Sequence, residues 1–90
     1  MNKRLHVYYS GSVQGVGFRF TAERLALSLG LSGWVKNLWD GRVEIICEGA
    51  ENKLKEFLSR IDDVFKEYIR DSGTEWDEPT GEFSGFDIRV

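Results

Sequence analysis

The run Gly11-Ser12-Val13-Gln14-Gly15-Val16-Gly17-Phe18-Arg19 holds the residue types best suited to chemistry in this chain. Three of its positions are glycines, which adopt backbone angles that other residues resist and let the main chain approach a ligand closely. A helical pattern follows at once, so the amides of about Gly15 to Arg19 have no intrahelical partner and lie at the positive end of a helix dipole. Such amides attract an anion. Arg19 falls in the first turn, where its charge opposes the dipole at a cost of about 0.3–1 kcal/mol unless something compensates. A bound phosphate reverses that sign, because guanidinium and amides then converge on the same oxygens. The residues alone leave two readings standing: an anion cradle, or a glycine turn followed by a solvated arginine. Nucleotide motifs do not match. Phe20 stands where Gly-x-Gly-x-x-Gly needs its third glycine, and no Gly-Lys-[Ser/Thr] follows.

The elements that must position this loop are legible from periodicity. Leu5, Val7 and Tyr9 alternate with His6, Tyr8 and Ser10, giving a strand with one buried face from Arg4 to Ser10. Phe18, Ala22, Leu25, Ala26 and Leu29 share one helical face, with Gly30 placed to cap the C-terminus, while Phe20 and Leu27 point the other way. Trp34, Val35 and Leu38 on one side of Asp40-Gly41, and Val43, Ile45, Ile46 and Cys47 on the other, predict a hairpin in which Asp-Gly supplies the positive-φ residues. Leu54, Phe57, Leu58, Ile61 and Phe65 predict a second helix from about Ala50 to Lys66. It carries i,i+4 pairs Glu51–Lys55, Glu56–Arg60 and Asp62–Lys66. Ile69 to Trp76 reads as a strand disturbed at Asp71-Ser72-Gly73 by a bulge, and Phe86, Ile88 and Val90 as a short last strand. The order is β-α-β-β-α-β with a short terminal strand: an α+β, ferredoxin-like α/β sandwich, an antiparallel sheet with two helices on one face, forming a single domain over residues 1–90. That architecture hosts many functions and names none.

Composition excludes several classes. The 90 residues carry 12 Lys+Arg against 15 Asp+Glu, a net charge of −3, which argues against nucleic-acid binding or a polybasic membrane anchor. Residues 1–45 hold six basic and three acidic side chains, and residues 46–90 hold six and twelve, so the loop lies in the locally basic half. One Cys and one His cannot build a four-ligand zinc site, and a lone Cys47 excludes an intramolecular disulfide. No apolar stretch is long enough to span a membrane or form a signal-peptide core, so a cytoplasmic location is expected. A monomer is expected as well.

Two segments carry a resemblance. Gly11-Ser-Val-Gln-Gly-Val-Gly-Phe-Arg19 and Gly33-Trp-Val-Lys-Asn-Leu-Trp-Asp-Gly41-Arg-Val-Glu44 resemble both signatures of the acylphosphatase family, and Gly81-Glu-Phe-Ser-Gly-Phe86-Asp-Ile88 is similar to its C-terminal segment. The Gly-Pro pair common in that family after the second helix is absent near Lys66 to Ile69. The resemblance implies hydrolysis of a small-molecule acyl phosphate to a carboxylate and inorganic phosphate, without metal or organic cofactor. It implies that Arg19 binds the phosphate together with the backbone amides of Gln14, Gly15, Val16, Gly17 and Phe18, and that Asn37 orients the attacking water. Taken alone, Asn37 is a polar residue near a strand end and reads as a turn-side hydrogen bonder.

Other residues have simpler explanations. His6 reads as a structural or surface side chain, and Cys47 as a small buried hydrophobe with no base beside it. Trp34, Trp39 and Trp76 read as core or hairpin packing rather than as a base-stacking platform. Asp62-Asp63 and Asp77-Glu78 are solvated charges without metal-ligand spacing. An acylphosphatase-like anion-binding module with weak turnover is the alternative to an enzyme, and an RNA-binding ferredoxin-like domain would need a basic sheet face.

Overall fold

The computed structural model describes all 90 residues, Met1–Val90. The elements run β1 (Asn2–Gly11), α1 (Phe18–Ser28), β2 (Ser32–Asn37), β3 (Val43–Ala50), α2 (Glu51–Phe65), β4 (Ile69–Asp77) and β5 (Phe86–Arg89), and the strands form one sheet in the order β4-β1-β3-β2-β5. This is the ferredoxin-like fold, with α1 and α2 covering the inner face. The four long strands pair antiparallel, but β5 joins β2 in parallel, Gly33 opposite Phe86 and Lys36 opposite Arg89, so the sheet is mixed. Alternation marks a strand's buried face but not the direction of its neighbour, which is why an all-antiparallel sheet is the simpler expectation.

One cluster of 17 buried residues fills the space between sheet and helices. Leu5, Val7 and Tyr9 of β1 meet Val43, Ile45 and Cys47 of β3 beneath Phe18, Ala22 and Ala26 of α1 and Leu54, Phe57, Ile61 and Phe65 of α2. Leu25 and Leu29 pack at its margin, while Phe20 and Leu27 are exposed. Helix α1 ends in a Schellman motif: the Leu31 amide donates to Ala26 O (2.9 Å) and the Gly30 amide to Leu27 O (3.2 Å), with Gly30 at φ 72°.

Four local expectations are corrected. The β2–β3 turn has positive φ only at Gly41 (φ 95°), not at Asp40. The Gly41 amide donates to Leu38 O (3.1 Å) and the Leu38 amide to Arg42 O (2.8 Å), a three-residue loop in which a type I turn is followed by a left-handed glycine. The bulge lies earlier than Asp71-Ser72-Gly73: Ser10 pairs with Asp71 and Gly11 with Ile69, leaving Arg70 as the extra residue. Gly11 (φ 126°) permits it, since a Cβ there would run into the Tyr68 carbonyl and stand 2.7 Å from the Arg70 amide. Glu51–Lys55 (3.1 Å) and Glu56–Arg60 (2.6 Å) form, but Asp62 and Lys66 do not pair, although Lys66, the C-cap of α2, keeps helical backbone angles (φ −56°, ψ −30°); the two side chains extend separately from the last, exposed turn. Finally, none of the tryptophans joins the inner cluster. Trp34 is buried on the outer sheet face under Lys36 (5.6 Å) and Arg89 (5.0 Å), Trp76 is 42% exposed, and Trp39 at the hairpin tip is 98% exposed.

Candidate active site

The loop after β1 enters α1 without protein caps. Gly15 (φ 79°) and Gly17 (φ 80°) both take left-handed backbone, and Gly17 stands at the N-cap with no side chain bonded to the first turn and no acidic residue in it. Beyond Ser12, whose amide donates to Tyr68 O (2.9 Å), the first amide bonded at the helix start is that of Thr21, which donates to Gly17 O (3.0 Å). The amides from Gln14 to Phe20 donate to nothing in the protein, so a row of unsatisfied donors sits at the positive end of a helix. Nothing lies within 4 Å of the position a Cβ would take on Gly15 or Gly17. The glycines are therefore required by backbone angle rather than by crowding.

This loop lines a cavity of about 210 Å³ with Arg19, Phe20, Asn37 and Ile88. Arg19 is half-buried and takes part in none of the protein's ion pairs or side-chain hydrogen bonds. A guanidinium left unpaired beside unpaired amides makes a site of uncompensated positive potential. Asn37, the last residue of β2, opposes Val43 of β3. Its Oδ1 is buried and accepts no hydrogen bond, one of only two such side-chain atoms in the chain, the other being Tyr9 OH in the core. A buried carbonyl oxygen left unsatisfied costs about 1–3 kcal/mol unless a water or ligand supplies a donor.

The structure thus brings Gly15, Gly17, Phe18, Arg19 and Asn37 to one cavity. The Gln14 side chain does not enter it; its amide reaches the β2–β3 turn, donating to Leu38 O (2.7 Å) and Arg42 O (2.9 Å). Phe20 and Ile88 form an apolar lip that sequence reading did not assign to the site. The one available signal was an aromatic on the outward face of α1 directly beside the glycine loop.

Groups elsewhere are occupied structurally. His6 Nε2 lies 2.7 Å from Glu44 Oε2. Cys47 is fully buried, and desolvation pushes its thiol up to about 12. Glu48, 5% exposed, would be pushed up by burial. The amides of Thr80 and Gly81, the Thr80 hydroxyl and Arg4 outweigh this and hold its carboxyl below the usual range. These bonds fasten the segment that leads into β5 and so to Ile88 at the cavity edge.

Residues 5–88 match the family model for acylphosphatase. The chain belongs to that family. It is 42% identical to an acylphosphatase of Roseiflexus sp., covering 94% of this chain and 92% of that protein, and 41% identical to one of Trichormus variabilis over 96% and 85%. The crystal structure of acylphosphatase from Bacillus subtilis superimposes with a TM-score of 0.90 at 32% identity, covering 98% of this chain and 99% of that one. As a member of the acylphosphatase family the chain is an enzyme that hydrolyses acyl phosphates. No helix is long and apolar enough to cross a membrane.

Proposed function

We propose that Arg19 and the backbone amides of Gln14, Gly15, Val16, Gly17 and Phe18 bind the phosphate of a small acyl phosphate, and that Asn37 holds the water that attacks it. Two observations carry this reading: Asn37 lines the same cavity as Gly15, Gly17 and the unpaired Arg19, and its buried Oδ1 has no hydrogen-bond partner in the protein.

The chemistry needs little more. An acyl phosphate expels a carboxylate, a good leaving group, so a loose phosphoryl transition state depends on positioning and charge stabilisation more than on proton abstraction. Oδ1 of Asn37 accepts a hydrogen bond from the water and directs the water's lone pair at phosphorus. The new P–O bond forms as the bond to the acyl oxygen breaks. The water's proton passes to an oxygen of the transferred phosphate, giving inorganic phosphate and a carboxylate. Arg19 and the amides bear the equatorial charge throughout, a contribution that for one well-placed donor is typically about 100- to 1,000-fold in rate.

No side-chain base and no metal enters this route, and residues 1–90 act as one cytoplasmic, monomeric domain. What supports the metal-free step is the donor set at the cavity, amides, a guanidinium and an asparagine, which suits an anion and offers no carboxylate, thiolate or imidazole. Phosphate release from a simple aryl acyl phosphate by the purified chain tests the reading. Turnover undiminished by a chelator is expected, and loss on chelation restored by a divalent ion would refute it. Mass by light scattering tests the monomer.

A further inference from the structure

The phosphate cradle and Asn37 belong to different parts of the chain. The cradle sits on the β1–α1 loop, and Asn37 at the end of β2 just before the turn. An in-line attack requires the water site to stay in register with the phosphate site, and a shift of about 1 Å between reacting groups costs on the order of 100-fold in rate. The side chain that spans the two parts is Gln14. Its Nε2 donates both protons, one to Leu38 O at 2.7 Å and one to Arg42 O at 2.9 Å.

These acceptors are the two carbonyls that close the turn. Leu38 O already accepts from the Gly41 amide (3.1 Å), and Arg42 O from the Leu38 amide (2.8 Å). Gln14 supplies the second donor to each, filling the remaining lone pairs. No other side chain of the loop hydrogen-bonds to the hairpin. Ser12, the loop's other tie, donates its amide to Tyr68 O (2.9 Å) before β4, on the side of the sheet away from β2.

We propose that the Gln14 side chain is a positioning residue that sets the distance between the phosphate cradle and the water held by Asn37, by clamping the cradle loop to the turn that follows Asn37. The assignment rests on the reading of the site given above. It assigns Gln14 two separable tasks: its backbone amide faces the phosphate, and its side chain acts on catalysis through Asn37 alone. Removing the side chain leaves the glycines, the helix terminus and Arg19 in place, so phosphate binding survives while attack is misaligned.

The test is a double-mutant cycle on kcat, KM and inorganic phosphate affinity, using Gln14→Ala, Asn37→Ala and the double variant. Gln14→Ala is expected to lower kcat about 10- to 100-fold while KM and phosphate affinity stay within about threefold of wild type. In the Asn37→Ala background it should cost nothing further, because no oriented water remains to be misplaced. Gln14→Met, of similar length but without donors, should behave as Gln14→Ala and carries the same cycle if the smaller residue unfolds the loop. Gln14→Glu, whose carboxylate faces two carbonyls, should be no better at neutral pH. Wild-type kcat in Gln14→Ala and Gln14→Met, or losses that multiply with that of Asn37→Ala, would overturn the assignment. An unimpaired Asn37→Ala would overturn the reading of the site itself. An impaired Asn37→Ala beside an unimpaired Gln14→Ala would remove only the role of Gln14.

Discussion

Arg19, in the first turn of α1, and Asn37, the last residue of β2, line the same cavity although no hydrogen bond joins them. One offers donors with no acceptor, the other an acceptor with no donor. In the proposed reading phosphate complements the one and water the other, and the expectations below follow from it.

Inorganic phosphate should raise the melting temperature of the wild-type protein, since it binds only the folded cradle. A ligand at 100 times its Kd stabilises by about 2.7 kcal/mol. Arg19→Ala should lose most of that shift together with turnover, and Arg19→Lys should recover little of either, because a point charge does not reproduce the planar fork. Thermal melts across a phosphate titration check this.

The loop glycines should matter for their backbone angles. Gly15→Ala and Gly17→Ala each force a side chain into left-handed backbone at about 1–2 kcal/mol, with no steric clash to add, since no atom stands within 4 Å of the new Cβ. Gly17→Asn should be milder than Gly17→Ala because asparagine tolerates that conformation. Urea unfolding of the three variants measures the order.

Much of the fold was legible because it is locally encoded. The alternation of Leu5, Val7 and Tyr9, the helical faces of α1 and α2 and the Gly30 cap each depend on residues close in the chain. What was not legible depends on distant partners. The parallel seat of β5 beside β2 and the bulge at Arg70 opposite Gly11 are set by neighbouring strands. For the site, the glycine loop and Arg19 announced themselves as a helix start that violates charge preference. Asn37 did not, since an asparagine at a strand end is ordinary until its oxygen is seen buried without a donor. The hydrogen bonds of Gln14 to the hairpin were equally out of reach, for they join segments that only the sheet brings together.

Acid should loosen the segment before β5. The carboxyl of Glu48 is held below its ordinary value of 4.5 in the folded protein. Its contribution is therefore fully present above that value and is lost as pH falls through the lower, folded one. Glu48→Gln should be less stable than wild type at neutral pH by about 1.5–3 kcal/mol, as hydrogen bonds to a charged group are replaced. The gap should narrow below pH 4.5. Chemical denaturation of both proteins between neutral pH and that range provides the comparison.

Cys47 should resist thiol reagents at mildly alkaline pH in the native protein and react at once in denaturant, since burial with a thiol pushed up to about 12 leaves almost no thiolate. Native and denatured thiol titrations report the difference.

The central claim, that Asn37 positions water rather than binding phosphate or moving a proton, is tested most directly by kcat and inorganic phosphate affinity in Asn37→Ala and Asn37→Asp. Asn37→Ala should lower kcat by at least about 100-fold with phosphate affinity near wild type and the fold intact by circular dichroism. Asn37→Asp should not restore the rate, since its carboxylate accepts a hydrogen bond from water but sets negative charge beside the phosphate. Near-wild-type kcat in Asn37→Ala, or a rate restored or raised by Asn37→Asp, would contradict the account.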